Sequence, residues 1–388
     1  MDKKTYKLKD FAEPIAVAVT DPQKSCHNIF VGLEHYDSGE PVISRFSDTS
    51  LLNSSCKEFK KNDILIARRN VYLRRAGIAP FDGLTSGDSI VLRLFEDCEE
   101  RTGISYDIAI KIIPFVLNSN SFWLYANRHA DGMNSKRISK EKVLDYEFDL
   151  PSLAEQKVLA EKLWAAYEVK QSYLKMIEAT QEMVKSQFIE MFGNQDVNDR
   201  SWNESIVKDE FTLTMGKTPA RNNPAFWQSG TNKWISISDM ARYGRYTEDT
   251  QESITDIAVA ESGIKIVPKG TIIMSFKLSI GRTAVTSEDI YTNEAIMAFR
   301  DVDETKFNMT FLQFLIANKN WLLNAKQAVK GQTLNKESIG NARIIVPPIG
   351  LQEQFAAIYN QADKSGIELR KSVDAIDKVI KSLINENL

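Results

Sequence analysis

Two stretches, PSLAEQKVLAEKL at 151–163 and PPIGLQEQFAAIY at 347–359, each begin a long run of residues with helical periodicity. No Pro or Gly interrupts 153–192, and Gly193 follows as a residue that commonly ends a helix. Apolar residues recur at steps close to three and four, at Leu159, Leu163, Ala166, Tyr173, Ile177, Val184, Phe188 and Met191. This spacing predicts an amphipathic helix, which at 1.5 Å per residue would be about 55–60 Å long.

The second run repeats the pattern, with Ser365 and Gly366 weakening its middle. Its apolar positions are Phe355, Ile358, Ala362, Leu369, Ile376, Val379 and Leu383. Lys170 and Thr180 interrupt the first apolar row. Each helix needs a partner for its apolar face, either its own globular domain or the other helix, and we favour pairing of the two helices as an antiparallel coiled coil.

The chain also matches itself outside these runs. FKKNDILIARR, ending at Arg69, resembles VPKGTIIMSFK, ending at Lys277, and RISKEKVLDYEFDLP resembles TLNKESIGNARIIVP immediately before the two helices. The final match aligns Leu153, Glu155 and Gln156 with Leu351, Glu353 and Gln354. Matches in the same order predict a tandem duplication and an internal pseudo-twofold repeat, whereas a solenoid would need at least three short repeats.

Each copy combines a mixed segment with a helix. Short β-branched or aromatic runs such as DILIA, IVLRLF, KWISIS and GTIIMSF alternate with Gly, Pro, Asn and Asp, which predicts α+β domains. The predicted division is a globular domain at 1–150, a helix at 151–194, a second globular domain at 195–346 and a second helix at 347–388.

Composition restricts the class of protein. The chain has 388 residues, 43% hydrophobic and 26% charged, with a formal net charge of −3, so we expect packed domains whose basic residues are clustered locally. Neither a signal peptide nor a membrane-spanning run is evident, which predicts a soluble, cytoplasmic protein. Cys26, Cys56 and Cys98 lack the pairing of a zinc or redox motif and are expected to be free thiols, with no metal site.

Longer motifs indicate a family. LPSLAEQKVLAEKL, KSQFIEMFGN, GKTPARNNPAFWQSGTNKWISISDM, GQTLNKESIGNARIIVPPIGLQEQ and DKVIKSLI together resemble the specificity subunit of type I restriction-modification systems. The resemblance extends along essentially the whole chain. It is weakest at 10–60, because the first domain lacks the G-x-T-P stretch of Gly216–Pro219.

The resemblance implies two target recognition domains, each reading one half of an interrupted sequence in double-stranded DNA. The helices would set the spacing of the half-sites and dock two methyltransferase subunits, with translocase and nuclease subunits joining for restriction. It implies a non-catalytic chain whose partners carry S-adenosylmethionine, ATP and Mg²⁺. The alternative is a coiled-coil scaffold that binds protein partners without sequence-specific DNA recognition.

Catalytic motifs are incomplete. NPAF at Asn223–Phe226 departs at Ala225 from the tetrapeptide of adenine methyltransferases, and we find no glycine-rich cofactor loop. GKT at Gly216–Thr218 resembles the end of a phosphate-binding loop. That loop needs Gly five residues earlier, at the position that Phe211 occupies. Glu155 fits the E-x-K pair of many nucleases, but its place at a helix start favours a capping role.

Candidate DNA contacts are residues that can hold phosphates or read base edges. In the first domain they are Arg68, Arg69, Asn70, Tyr72, Arg74, Arg75, Lys136, Arg137 and Lys140. In the second domain they are Lys217, Arg221, Asn222, Asn223, Gln228, Lys233, Lys277, Ser279, Arg282, Lys330, Gln332, Asn335 and Lys336. A solvated charged surface is the alternative for these runs. Trp227 is expected to anchor its loop rather than stack on a base.

Overall fold

The computed structural model describes residues 3–133, 135–277, 279–323 and 334–388, together with the backbone of 327–328 and 331–332. The chain forms two compact units. The first contains Met1–Lys175 and Leu369–Leu388, and the second contains Met176–Glu368. Each unit therefore combines one globular part with portions of both long helices.

The first unit is a mixed α/β structure. Its strands are β1 (Lys4–Lys7), β2 (Ala12–Ile15), β3 (Ala18–Val19), β4 (Ile29–Val31), β5 (Ser47–Asp48), β6 (Cys56–Phe59), β7 (Ile64–Ala67), β8 (Ala76–Ile78), β9 (Gly83–Thr85), β10 (Ser89–Leu94) and β11 (Glu147–Leu150). Its short helices are α1 (Cys98–Thr102), α2 (Tyr106–Val116), α3 (Asn120–His129) and α4 (Lys140–Leu144), followed by the long helix α5 (Leu153–Phe192). 3₁₀ turns occur at Leu8–Asp10, Pro22–Lys24, Leu33–His35, Thr49–Leu51 and Val71–Leu73.

Its sheets have the orders β2-β10-β7-β8 and β3-β6-β9-β4-β5, and β1 pairs with β11. Strand β7 explains how two cores share one sheet, because its successive side chains point to opposite faces. Ile64 and Ile66 lie in the core that includes α2 and α3. Leu65 and Ala67 lie in a second core with Val31 and Phe59.

The second unit has the same kind of parts. Its strands are β12 (Glu204–Ile206), β13 (Thr212–Met215), β14 (Asn232–Ile235), β15 (Glu252–Ile254), β16 (Ile272–Ser275), β17 (Thr283–Val285), β18 (Tyr291–Thr292), β19 (Ile296–Arg300), β20 (Gln327–Ala328), β21 (Gly331–Gln332) and β22 (Arg343–Ile345). Its short helices are α6 (Val207–Glu210), α7 (Ile237–Arg242), α8 (Asp256–Ser262), α9 (Met309–Asn318) and α10 (Lys336–Gly340), followed by the long helix α11 (Ile349–Asn387). A 3₁₀ turn lies at Pro224–Phe226.

The internal topologies of the two units repeat each other. The order β2-β10-β7-β8 corresponds to β13-β19-β16-β17, and the β1-β11 pair corresponds to β12-β22. Strands β4 and β9 pair in parallel, as β14 and β18 do. The duplication predicted from sequence is thus confirmed at the level of topology. The units differ in that β3 and β6 extend the second sheet of the first unit, whereas β15-β14-β18 is three-stranded.

Both long helices form as predicted, and Gly366 does not end α11. In the first unit Leu159 and Leu163, near the start of α5, pack with Ile384, near the end of α11. In the second unit Val184 and Phe188 of α5 pack with residues near the start of α11. The helices therefore pair antiparallel.

The helices also contact their own globular parts, so the two partners considered from sequence are both used. Trp164 of α5 meets Phe115 of α2 with ring centroids 5.4 Å apart. Phe188 of α5 packs on Phe314 of α9 with centroids 5.0 Å apart. Each helix buries one face by combining a domain contact with a helix contact.

The repeated helix starts share a hydrogen bond. Gln156 donates from Nε2 to the carbonyl of Pro151 at 2.8 Å, and Gln352 donates to the carbonyl of Pro347 at 2.8 Å. Both glutamines are buried. The sequence match of Gln156 with Gln354 was therefore wrong by two residues, because Gln156 corresponds in burial and hydrogen bonding to Gln352, whereas Gln354 is exposed.

Glu155 occupies the capping position expected of it. Its Oε2 accepts from the backbone N–H of Ser152 at 3.0 Å and from the Ser152 hydroxyl at 2.7 Å. These hydrogen bonds hold the pKa of Glu155 below its ordinary value. The predicted capping role of Glu155 is confirmed.

Candidate nucleic-acid interface

The densest predicted segment forms the loop between β7 and β8. Asn70 and Arg74 have φ of 55° and 51°, and they bracket the 3₁₀ turn Val71–Leu73. Val71 is buried beneath the loop, whereas Tyr72 is 61% exposed. The left-handed residues thus turn the chain tightly enough to present an aromatic ring and several guanidinium groups at the surface.

Backbone pairing joins this loop to the other basic segment of the first unit. The N–H of Asn70 donates to the carbonyl of Lys136 at 2.8 Å, and the N–H of Ile138 donates to the carbonyl of Arg68 at 3.0 Å. Arg69 and Arg137 are opposite each other in this antiparallel pairing. The two basic segments, which the sequence indicated only as separate candidates, therefore form one surface.

We name this surface the basic ridge, and it consists of Lys57, Arg68, Arg69, Lys136, Arg137 and Lys140. Asp88 lies within it, with its Oδ2 3.9 Å from Arg69 Nη1 and 3.4 Å from Arg137 Nη2. Burial lowers the pKa of Lys57, and the positive charges of Arg68 and Lys140 lower it further. Lys57 therefore lies near the charges of Arg68 and Lys140, and Asp88 opposes their effect.

Sequence reasoning missed Lys57 and Asp88. Lys57 belongs to β6 and donates to the carbonyl oxygens of Gly87 and Ser89 at 3.0 and 2.7 Å. No local motif marks these residues, because strand pairing between distant segments brings them beside the arginines. Lys57 is placed by the pairing of β6 with β9, and Asp88 by the pairing of β10 with β7.

An open depression lies along the basic ridge. It is lined by Arg68, Asp131, Gly132, Ser135, Arg137 and Ser139. Arg69 donates from Nε to the Ser135 hydroxyl at 2.8 Å, which fixes its guanidinium at the rim. Hydroxyl and guanidinium donors around a concave surface are suited to phosphate oxygens.

The last two arginines of the loop make specific contacts within the unit. Arg74 donates from Nη1 to Asn120 Oδ1 at 2.8 Å. Arg75 is half-buried and donates to the carbonyl of Leu33 at 2.7 Å. Arg74 remains exposed, whereas Arg75 serves to hold the loop against the 3₁₀ turn Leu33–His35.

In the second unit the equivalent loop joins β16 to β17. Lys277 is exposed, and the carbonyl of Ser279 accepts from the hydroxyl of Ser275. Arg282 is also exposed and donates from Nη1 to the carbonyl of Ala241 at 2.8 Å. The three predicted residues of this segment therefore lie in one hairpin loop, at the same topological place as Arg68–Arg75.

The GKTP segment packs closely against β18. The N–H of Lys217 donates to the carbonyl of Thr292 at 2.8 Å, and Trp234 donates from Nε1 to the carbonyl of Lys217 at 3.0 Å. A Cβ on Gly216 would lie 2.0 Å from the Thr292 carbonyl oxygen, so glycine is required there. Lys217 itself is exposed.

Trp227 anchors this loop as predicted. Its Nε1 donates to the carbonyl of Ala220 at 3.1 Å, and its ring meets Trp234 edge-on at 5.2 Å between centroids. The guanidinium of Arg221 lies 3.9 Å from the Trp227 centroid and pairs with Glu252. Cation–π contact and ion pairing both hold Arg221 to the loop.

The other predicted residues of this segment divide between structural contacts and open surface. Asn223 accepts from the N–H of Ala225 at 3.1 Å, and Lys233 pairs with Asp249 and Glu288 at 2.9 and 2.6 Å. Those two carboxylates raise the pKa of Lys233. Asn222 and Gln228 are exposed.

The segment before α11 is described in part. Lys330 lies outside the described residues, as does the side chain of Gln332. Asn335 caps α10 by accepting from the N–H of Ser338 at 2.8 Å, and Lys336 is exposed. The free thiols expected at Cys26, Cys56 and Cys98 are found.

Within the described part of the chain, no group of three or more His, Cys, Asp or Glu side chains could hold a metal ion. Among the same residues, no helix is sufficiently long and apolar to span a membrane.

Comparisons with known proteins agree with these features. Residues 199–376 match the family described as type I restriction modification DNA specificity domain. The specificity subunit of the type I restriction enzyme MjaIX of Methanocaldococcus jannaschii is 25% identical over 208 residues, which are 52% of this chain and 47% of that protein. The chain thus matches about half the length of this relative.

Solved structures match along nearly the whole chain. The S subunit of a type I restriction-modification system from M. genitalium has a TM-score of 0.53 at 12% identity, covering 99% of this chain and 95% of that one. A chain described in connection with complex assembly and conformational transition of the type I R-M system has a TM-score of 0.54 at 15% identity, covering 99% and 97%. These likenesses establish the fold.

The fold class is therefore that of two α+β domains alternating with two long antiparallel helices. The chain is similar in sequence to the specificity subunits of type I restriction-modification systems, through the family match at residues 199–376 and the match to about half of the MjaIX subunit.

Proposed function

We propose that this chain is the non-catalytic DNA sequence-specificity subunit of a type I restriction-modification complex. The observation that carries the proposal is the basic ridge, in which Arg68–Asn70 and Lys136–Ile138 pair to form one cationic surface. Its support is the family match of the second domain together with the repeated topology of the first. The scaffold alternative lacks an observation that favours it.

Each globular domain would read one half of an interrupted double-stranded DNA target. We propose the first recognition domain at 1–150, the central spacer helix at 151–194, the second recognition domain at 195–346 and the C-terminal spacer helix at 347–388. Because the two domains differ in sequence, the two half-sites should have different base sequences, which we call words. Rigid helices would fix the gap between them, as protein dimers fix half-site spacing on operators.

On the first domain the basic ridge would supply phosphate contacts. Arg69 and Arg137 stand at the rim of the depression, where guanidinium groups can pair with phosphate oxygens. Tyr72, Asn70 and Arg74 lie at the tip of the β7–β8 loop. Their aromatic, amide and guanidinium groups can contact bases there. The phosphate contacts would contribute affinity, and the residues at the loop tip would determine which base sequence is recognised.

On the second domain the equivalent contacts would come from the β16–β17 loop, with Lys277, Ser279 and Arg282. Lys217, Asn222 and Gln228 of the GKTP segment and Lys336 before α11 would add to them. Arg221 and Lys233 would engage DNA only if their carboxylate partners exchanged for phosphate, since Glu252, Asp249 and Glu288 hold them now.

The helices would also dock two methyltransferase subunits, with translocase and nuclease subunits joining the assembly in the cytoplasm. In support, α5 exposes large apolar side chains at Val158, Val169, Met176 and Met183, which are 48, 44, 52 and 47% exposed. Exposed apolar rows on a helix are typical of protein interfaces. S-adenosylmethionine, ATP and Mg²⁺ would be bound by those partners.

A salt titration tests the DNA surface. The full chain with its methyltransferase partner is titrated with a duplex carrying the methylated sequence, at several salt concentrations. Each lost phosphate contact lowers the salt slope by about 0.9, so Arg69→Ala combined with Arg137→Ala should reduce it by about 1.8. Arg101→Ala, which removes an exposed arginine of α1 outside the basic ridge, is the control and should change nothing.

Mapping of methylated adenines in cells tests the bipartite reading. Expression of this chain with its partners should produce one sequence with two unequal half-sites and a constant gap. A complex with no sequence preference, and with equal affinity when Arg68, Arg69, Arg74 and Arg75 are changed to Ala, would favour the scaffold.

Helix length tests the spacer role. Inserting or deleting residues near Tyr173 should change the gap while leaving both words intact. An unchanged gap in the methylation map would refute the spacer role.

A further inference from the structure

A buried lysine lies at a core position of the helix pair. Leu163, Lys170, Ile177 and Val184 of α5 are seven residues apart, and the other three are apolar and buried. The Lys170 side chain is only 10% exposed, and its ammonium contacts Asp377 of α11 at 2.7 Å and Glu40 of the globular part. Burial opposes its charge, but hydrogen bonds to Asp377 and Glu40 raise its pKa above the ordinary value.

Glu40 connects this lysine to the β7–β8 hairpin. It follows Gly39, whose N–H donates to the carbonyl of Arg74 in the β7–β8 loop at 3.1 Å. Two residues beyond Glu40, Val42 bridges in parallel to Ile78 of β8. The contact of Glu40 with Lys170 therefore connects α5 to the β7–β8 hairpin. The loop of this hairpin carries the proposed DNA contacts and is called the reading loop below.

The second unit has a buried arginine in the equivalent region. The Arg245 side chain is 6% exposed and precedes Tyr246, which bridges in parallel to Val285 of β17. The Arg245 carbonyl accepts from the N–H of Val285 at 3.0 Å. Arg245 is thus tied to the hairpin whose loop contains Lys277, Ser279 and Arg282.

Arg245 also reaches the long helix. It donates from Nη1 to Asn360 Oδ1 of α11 at 2.5 Å, and Nη1 lies 3.7 Å from Asp363 Oδ2. Its guanidinium carbon is 4.6 Å from the Tyr359 ring centroid. Nε donates to Gln313 at 2.9 Å and Nη2 donates to Thr310 at 2.5 Å, so each of the three guanidinium nitrogens makes a hydrogen bond.

The geometry points to Lys170 and Arg245 as positioning residues that hold the β7–β8 and β16–β17 hairpins against the long helices. We call each of these two sets of contacts a seat: Lys170 with Glu40 and Asp377, and Arg245 with Asn360 and Asp363. We propose that these two seats have opposite polarity, which makes them specific for their own domains. In the first unit helix α5 carries the cation, and the globular part supplies the carboxylate of Glu40 beside Asp377 of α11. In the second unit the domain carries the cation and the helix carries the acceptors. This inference rests on the proposed DNA-reading function for its consequence, but the seats themselves are contacts of the free chain.

The physical reason is the cost of burying an unpaired charge. A duplicated chain has two similar domains and two similar helices, so apolar packing alone discriminates poorly between correct and incorrect seating. Placing Glu40 near Asp363, or Arg245 near Lys170, would bury like charges together, which disfavours incorrect seating. A seat fixed in this way holds the reading loop at one position along the helix, and hence one gap between half-sites.

Charge reversal tests the first seat. Amide hydrogen exchange of the full chain should be at least about tenfold faster over residues 37–43 in Lys170→Glu than in the wild type, because Glu40 and Asp377 would repel the new carboxylate. The double variant Glu40→Lys with Lys170→Glu restores an opposite-charge pair and should recover most of the protection. Lys175→Glu makes the same charge change at an exposed position of α5 and should not alter exchange.

Lys170→Met provides a milder variant if the reversal prevents folding, because it removes the cation without adding a charge. It should also speed exchange over 37–43. Wild-type exchange in both Lys170→Glu and Lys170→Met, or an absence of recovery in the double variant, would overturn the inference.

Arg245→Lys tests the second seat. It keeps the charge but loses the fork, and exchange should quicken over 243–247 and in β17. Arg343→Lys, at a side chain that is 70% exposed, is the matched control and should leave exchange unchanged. Equal exchange in Arg245→Lys and the wild type would overturn the second seat.

The methylation map then separates the seats from the proposed function. Loosened seats should broaden the range of gaps without altering either word. If the gap stays single while exchange quickens, the seats do not position the reading loops. If the wild-type complex has no sequence preference, the proposed function fails, and the exchange results still decide whether the seats exist.

Discussion

The two buried glutamines at the helix starts should differ strongly in their contribution to stability. Gln352 accepts at Oε1 from the N–H of Asn308 at 2.9 Å and donates from Nε2 to the carbonyls of Lys306 and Pro347 at 3.0 and 2.8 Å. Gln352→Met keeps the side-chain length and leaves one N–H and two carbonyl groups without this partner. At about 1–1.5 kcal/mol for each of these three groups, the lower part of the usual range, we expect a loss of about 3–5 kcal/mol.

Gln156 is the matched control. It makes the corresponding bond to Pro151, but among the described residues its Oε1 has no hydrogen-bond partner. Gln156→Met therefore loses one hydrogen bond while also removing a buried acceptor that has no partner. The net cost should be about 0–1 kcal/mol.

Scanning calorimetry of the full chain measures the difference. For a unit of this size about 1 kcal/mol corresponds to about 2–4 °C, so Gln352→Met should lower Tm by about 6–20 °C and Gln156→Met by less than about 4 °C. Amide exchange at Asn308 should quicken only in the Gln352 variant. Equal Tm changes in the two variants would refute the assignment of the cost to the Asn308 and Lys306 contacts.

Two further substitutions examine the second domain. Gly216→Ala should destabilise it by about 2–3 kcal/mol, because the new Cβ would lie 2.0 Å from the Thr292 carbonyl oxygen, whereas Gly244→Ala has nothing within 4 Å; urea unfolding should separate them, and equal midpoints would contradict the close approach. Burial alone would raise the pKa of Asp239, but hydrogen bonds from Ser236, Arg242 and Gln251 hold it below the ordinary 3.8. The stability that Asp239 contributes is therefore complete above about pH 5 and is lost as pH falls through its lowered pKa. Asp239→Asn should be less stable at neutral pH, and its Tm should fall less between pH 6 and pH 3; parallel Tm curves would count against this account.

Local patterns predicted much of the architecture. The period of α5 follows from the spacing of Leu163, Ile177 and Val184, and strand β7 follows from the short apolar run DILIA. Helical and extended periods are encoded in neighbouring residues, so they can be recognised without knowledge of the rest of the chain.

The candidate site was predicted only in pieces. Arg69 and Arg137 were both predicted as DNA contacts. Their pairing, however, depends on hydrogen bonds between segments far apart in sequence. Lys57 and Asp88 carried no recognisable signal, because their role arises from the sheet that brings them beside those arginines. The sequence also could not distinguish Lys233, held by two carboxylates, from the exposed Lys277.

By itself, the sequence determined that the chain is duplicated, that each copy joins an α+β domain to a long helix, and that the helix starts are alike. Only the tertiary structure decided which glutamines correspond, which basic segments meet, and why Lys170 occupies an otherwise apolar row. The physical reason is that periodicity specifies which face of an element is buried, whereas the partner of a buried polar group is fixed by long-range packing. Lys170 is an interruption in the sequence, but with Asp377 and Glu40 beside it the same residue connects two helices and a domain.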